Sequence, residues 1–346
     1  MSHETGYMKK ISIKSIASIA VLLLTSWWIY YYLSSHHELL SSLWNISLAQ
    51  VVILITLRTL YTGTYGLFLK MFAEKFDIHL KPMEWFGLPF ITTMGNQLTP
   101  FAGGVIVRAL YLKHRHSLPY TTFTTLLVAN HLILIWVAGL MGLLTCVLSR
   151  SLGPARWILT IFFFIVVGVI AFLVLMPPYS LKGHNIFIRT VNIFLEGWSY
   201  VKNDRTLLIM VSFVAIAGLL LNGFSFWLAY YSIDFKVPPA AIILVSLLPF
   251  FLVLFYITPG NFGIQEIAIS LTSGFVGTGV GKGLLVALLV RTTTIFPVFI
   301  LGPIFCYLLT RNLGKLRLGS PIMDKSNHVR SHQLLLRYLF KIDKDK

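Results

Sequence analysis

Long apolar runs alternate with short polar breaks along nearly the whole chain. A membrane-crossing helix needs about 20 apolar residues, and the runs at 16–33, 45–69, 121–148, 157–176, 206–231 and 284–310 each reach that length. Two further apolar stretches contain helix breakers. Residues 85–112 hold Asn96, Gln97, a Thr99-Pro100 step, a Gly103-Gly104 pair and Arg108; residues 240–273 hold Pro249 and then Thr258-Pro259-Gly260-Asn261-Phe262-Gly263 before Glu266. Proline removes a donor and clashes with the preceding turn, and glycine weakens the helix further. Each arm is too short for a full crossing, so each stretch predicts a re-entrant broken hairpin. Backbone groups freed at membrane depth have to be satisfied by protein or cavity water. Residues 177–205 are mixed and only moderately apolar, which predicts an interfacial amphipathic helix with loops joining two halves.

Those halves resemble each other. A span, a broken hairpin and a second span occur over 45–148 and again over 206–310. The shift that superposes Pro100 on Pro259 sets His131 opposite Val290, next to Arg291. Threading the runs through a membrane turns the second copy upside down relative to the first. Inverted repeats with broken helices are a transporter plan whose substrate site lies near the midplane, between the repeats. The expected fold is therefore an all-α polytopic membrane protein, with about six full spans and two re-entrant broken hairpins arranged as an inverted repeat. Its expected parts are a basic head (1–15), a membrane domain (16–310) and a basic tail (311–346).

Composition agrees. The chain has 346 residues, 56% of them hydrophobic and only 12% charged, with a mean hydropathy of +0.79, which excludes an ordinary soluble domain. The net charge of +16 suggests nucleic acid until its distribution is considered. Only Arg150, Arg156, Lys236 and Lys282 fall in the loops on one side, and Arg58, Arg108 and Arg291 fall inside apolar stretches; every other Lys and Arg lies on the opposite side. That bias orients both termini toward the cytoplasm of a plasma (inner) membrane. The charge thus follows from topology and attraction to anionic lipid, and no nucleic-acid partner is expected. Cys146 and Cys306 lie in apolar runs without metal-ligand spacing, so neither a metal nor a disulfide framework is expected. The basic head leads straight into an apolar helix without a small-residue cleavage site, which reads as a retained first span. No phosphate-binding glycine loop, nucleophile–base pair or paired carboxylates occur, so neither a cofactor nor an enzymatic activity is expected.

The candidate chemistry lies in the polar groups at membrane depth. Glu266 is the acidic residue expected there, and a charge at the bilayer centre costs roughly 2.5–3.5 kcal/mol on insertion scales. Arg108 and Arg291 are its candidate partners. One reading is a buried salt bridge pinning the hairpins; the other is an arginine that holds a lipid phosphate, with Glu266 balancing the empty site. Arg58, near mid-span, either joins that site or reaches the interface along a neighbouring helix. Asn96, Gln97, Thr99 and Asn222 are expected to satisfy broken backbone, and Asn130 and His131 to bond between helices. Gly103, Gly104, Gly260 and Gly263, beside Pro100 and Pro259, suit tight turns and close backbone approach.

The segment from Asn96 to Arg108 (N-x-x-T-P-x-x-G-G-x-x-x-R), the segment from Thr258 to Glu266 (T-P-G-x-x-G-x-x-E) and the run of spans resemble the lysylphosphatidylglycerol synthase transmembrane (flippase-like) family, over about residues 10–315. The resemblance implies the lipid-handling part alone, since larger members add a soluble aminoacyl-transfer domain or a glycosyltransferase that this chain has no room for. Pro100, Gly104, Arg108, Pro259, Gly263 and Glu266 match the family's motif positions. Some relatives carry an acidic residue near the first glycines, where this chain has Gly104-Val105. The expected function is a flippase-type lipid transporter. It would bind the phosphate of an anionic phospholipid or polyprenyl-phosphate-linked lipid with Arg108, Glu266, Arg291 and Arg58. The alternative is a non-transporting protein that presents membrane lipids to a separate membrane synthase or glycosyltransferase.

Overall fold

A computed structural model describes residues 13–35, 41, 43, 46–149, 152–153, 155–175, 188, 192, 204–255 and 257–317. Its elements are helices: α1 (Ile13–Ser34), α2 (Leu48–Glu74), α3 (Pro82–Leu98), α4 (Gly103–His116), α5 (Tyr120–Leu148), α6 (Ala155–Leu175), α7 (Arg205–Ser232), α8 (Pro239–Leu247), α9 (Ile264–Phe275) and α10 (Val280–Arg317), with 3-10 turns at Leu248–Phe255 and Pro259–Asn261. Among the described residues, α2, α5, α6, α7 and α10 are long and apolar enough to cross a membrane, and α1 coincides with the first expected span. The predicted interfacial segment 177–205 falls almost wholly outside the described residues, as do most of the head and tail. The last helix starts at Val280, ahead of the span expected from residue 284, and continues past residue 310 to Arg317. The chain divides into two compact units, Met1–Cys306 and Tyr307–Lys346; the described part of the second is the final helical stretch to Arg317.

Local signals explain the helix starts. Ser47 Oγ accepts from the Gln50 N–H at 3.3 Å while Gln50 Oε1 accepts from the Ser47 N–H at 2.9 Å, a reciprocal cap for α2. Asp204 Oδ1 accepts from the Leu207 N–H at 2.9 Å and opens α7.

Helices α2 and α7 pack closely, and they run antiparallel: Arg58 meets Asn222, and about one and two-thirds turns further along α2, Thr64 meets Gly218. Small residues let helices approach where lipid supplies no hydrophobic drive. Phe163 of α6 fills the space left by Gly142 of α5, and Phe305 of α10 that left by Gly87 of α3. Tyr230, Leu244, Leu285 and Val286 are fully buried where α7, α8 and α10 meet. Outward positions of the spans remain apolar, among them Leu144, Phe164, Phe172, Ile209 and Phe213. Such a surface is a liability in water and suits contact with acyl chains.

Both hairpins are broken where expected, but by different means. In the first, Thr99 is extended and Phe101 and Ala102 adopt left-handed backbone, φ +56° and +55°. The Gly103-Gly104 pair does not make the turn; it forms the first turn of α4. A Cβ on Gly104 would lie 1.9 Å from the Thr92 carbonyl oxygen, so glycine there lets α4 lie directly on α3. Thr99 Oγ1 donates to the Gly95 carbonyl at 2.6 Å and satisfies backbone at the break. In the second hairpin the helical path from α8 tightens around Pro249 into a 3-10 turn. Thr258 Oγ1 donates to the Phe262 carbonyl at 2.8 Å. Gly263 has φ +84°, and a Cβ there would also strike Thr25 of α1.

Candidate functional site

The four charged residues singled out in the sequence fall into two groups. Arg291 of α10 donates from Nε to Glu266 Oε1 of α9. Its Nη1 reaches the Gly260 carbonyl at 3.2 Å and Gln97 Oε1 at 3.3 Å, and its Nη2 reaches Gln265 Oε1 at 3.3 Å. Glu266 Oε2 accepts from the Gly263 N–H at 2.6 Å. One arginine therefore ties the carboxylate, the second hairpin's turn and the end of α3 together. Of the two candidate partners for Glu266, Arg291 is the one bonded to it.

Arg58 and Arg108 belong elsewhere. Both line a cavity of about 510 Å³ walled by α2, the first hairpin, α5, α7 and the second hairpin. Arg58 is 6% exposed. Its Nε donates to Thr294 Oγ1 at 2.8 Å and its Nη1 to Asn222 Oδ1 at 2.6 Å, and its guanidinium sits 4.6 Å from the Tyr61 ring centre. Asn222 is held in turn by its Nδ2, which donates to the Ser246 carbonyl at 3.0 Å beside the Pro249 break. Arg108 lies 5.3 Å from the ring centre of Phe123, and its Nε is buried without an acceptor. Neither arginine has a carboxylate within salt-bridge distance among the described residues, and no Asp or Glu lines the cavity. The Oδ1 atoms of Asn96, Asn130 and Asn261, which also line it, are buried without partners. His131 Nδ1 lies 2.6 Å from the Leu127 carbonyl, so that nitrogen carries the hydrogen. Apolar wall comes from Phe68, Phe72, Leu126 and Phe226, and the cavity reaches the protein surface at Phe101 and Ile106, both exposed.

The sequence reading missed a second buried carboxylate. Glu84, in the first turn of α3, is 3% exposed. Its Oε2 accepts from the Lys81 N–H at 2.8 Å, and its Oε1 accepts from the Tyr111 hydroxyl at 2.7 Å and lies 3.1 Å from His116 Nε2. Arg115 Nε stands 3.7 Å away. This cluster closes the base of the first hairpin, joining the start of α3 to the end of α4. Burial pushes the Glu84 carboxyl up, but the bonds from Lys81, Tyr111 and His116 outweigh it and hold the group below the usual carboxylate range. The local signal was Lys81-Pro82-Met83-Glu84, a proline followed by an acid in a helix's first turn.

Antiparallel apolar helices, two broken hairpins meeting at their turns, and an internal cavity with two arginines define an integral membrane protein with a polar chamber. The chain belongs to a lipid-related membrane family: the model of the lysylphosphatidylglycerol synthase TM region matches residues 15–302. Comparison with curated proteins gives no match.

Proposed function

We propose that the protein is a flippase-type lipid transporter and not an enzyme, and that its cavity takes the phosphate of an anionic lipid headgroup. The observation that carries this reading is the unpaired charge: Arg58 and Arg108 share one chamber that has no carboxylate among its described wall residues, whereas Arg291, outside it, is paired. Guanidinium suits phosphate because its planar fork donates parallel hydrogen bonds. The exposed Phe101 and Ile106 give acyl chains a path from the chamber to the bilayer. Opposed motion of the two halves would expose the headgroup to each leaflet in turn, downhill unless coupled to an ion.

The test is native mass spectrometry of the gently purified protein, paired with transfer of fluorescent phosphatidylglycerol between leaflets of reconstituted vesicles. Wild type should retain anionic lipid and accelerate its transfer; the double variant Arg58→Gln, Arg108→Gln should lose both while still inserting and folding. Retention without transfer would make the protein a lipid-presenting partner of a separate synthase. Equal retention in the variant would remove the chamber as the lipid site.

A further inference from the structure

The charge inside the chamber says more about the headgroup than that it is anionic. Among the described residues, the titratable ones in its wall are Arg58, Tyr61 and Tyr65 from α2, Arg108 from α4 and His131 from α5. The wall residues contributed by α3, α7, the second hairpin and α10 are neutral amides, hydroxyls, carbonyls and apolar groups, among them Asn96, Asn222, Ser246 and Thr294. The nearby Glu266 carboxylate is already taken by Arg291 and stands outside the chamber wall. Guanidinium keeps its proton throughout the physiological range. The described wall of the chamber therefore holds two positive charges. Dipoles of Asn222 and Thr294 and the faces of Tyr61 and Phe123 offset them only in part.

A buried charge without a counter-charge is disfavoured, so the ligand that fits best brings the number of charges the wall lacks. A phosphodiester headgroup carries a single negative charge and leaves one guanidinium uncompensated. A terminal phosphate monoester carries close to two. Building on the lipid-site reading above, we infer that Arg58 and Arg108 together select a lipid whose head ends in a dianionic phosphate over one whose phosphate is a diester.

The experiment compares phosphatidic acid with phosphatidylglycerol of the same acyl chains, each offered in phosphatidylcholine vesicles or micelles to the full-length protein and read by native mass spectrometry. At neutral pH, wild type should retain the monoester about tenfold better, the ratio that corresponds to roughly one more favourable charge contact. Because the second phosphate ionisation lies near pH 6, that preference should fall severalfold between about pH 7.5 and about pH 5, while retention of the diester stays flat. Arg58→Gln and Arg108→Gln should each reduce the ratio to about twofold or less, since each leaves one guanidinium, which a diester satisfies. The fall with pH should persist in His131→Gln, because it belongs to the lipid. Excess inorganic phosphate should displace little of the monoester, because it brings no acyl chain to the apolar wall; full displacement would mean that the site takes free phosphate. Equal retention of both lipids by wild type, or a pH response that disappears in His131→Gln, overturns the selection for a dianion and leaves the lipid site standing. Retention of both lipids no better than in the double variant Arg58→Gln, Arg108→Gln would mean that the lipid site itself is wrong.

Discussion

Arg291 and Arg58 show how the same side chain serves two ends. Arg291 spends its donors on Glu266, Gly260, Gln97 and Gln265, a set that reaches the turns of both hairpins. Removing one member of a buried ion pair leaves the other charged and uncompensated, at a cost of roughly 3–5 kcal/mol. Glu266→Gln should therefore lower the thermal unfolding temperature markedly in detergent, and the double variant Glu266→Leu, Arg291→Met should recover much of it. Neither Glu266 nor Arg291 itself lines the chamber, and Glu266→Gln keeps the bonds from Arg291 to the wall residues Gln97, Gly260 and Gln265, so lipid retained per folded molecule should stay near wild type in that variant. Unaltered unfolding in Glu266→Gln would show that the pair does not hold the hairpins. Arg58 has no such carboxylate, and its neutral partners position the guanidinium without cancelling its charge. The sequence could not sort these arginines. Glu266 and Arg291 are 25 residues apart, and Gln97 is 194 residues from Arg291. Their meeting depends on how two separate turns dock, which no local pattern encodes.

The first hairpin acts as an element clamped at both ends. At its turn Gly104 lets α4 lie against the Thr92 carbonyl; at its base Glu84 gathers Lys81, Tyr111 and His116. A carboxyl held below its usual range contributes stability that is present above the unfolded pKa of about 4.3 and is lost as pH falls through the lower folded value. The base should hold at neutral pH and loosen in acid. Amide exchange across residues 82–116 should therefore rise as pH drops below about 4, after correction for intrinsic exchange. In Glu84→Gln it should be raised at neutral pH and respond little to acid. An acid response of the same size in that variant would place the titrating group elsewhere. The break itself was legible, because Thr99-Pro100 interrupts an apolar run, and so was its second copy at Thr258-Pro259. What misled was the glycine pair. Glycine signals freedom to turn and also room for a neighbour, and in α4 it is the second use that applies, while Phe101 and Ala102 take the left-handed backbone. Glu84 escaped notice because its partners Tyr111 and His116 are 27 and 32 residues away.

At the scale of the whole molecule, the spans were readable from length and hydropathy alone, since a bilayer demands about 20 apolar residues and tolerates few charges. The direction of each half follows from where the basic residues fall, and the packing of α2 on α7 bears on it. Arg58 meets Asn222 while Thr64 meets Gly218, so residue number rises along one helix as it falls along the other. Two antiparallel spans place their C-terminal ends at opposite faces of the bundle. The link from α2 to the first hairpin and the link from α7 to the second must then lie on opposite sides of the membrane, and the two hairpins enter from opposite sides. The positive-inside bias assigns the sides: Lys70, Lys75 and Lys81 flank the first link and Lys236 sits in the second, so the first should face the cytoplasm. His79 and Lys236 are exposed positions in these two links. In a variant whose Cys146 and Cys306 are replaced by serine, Lys236→Cys should react with an impermeant maleimide added to intact cells. His79→Cys should react only after the membrane is opened. Labelling of both from the same side would be incompatible with antiparallel halves and would remove the inverted repeat, and alternating access with it. Labelling of the two with sides exchanged would keep the repeat and reverse the leaflet each hairpin faces.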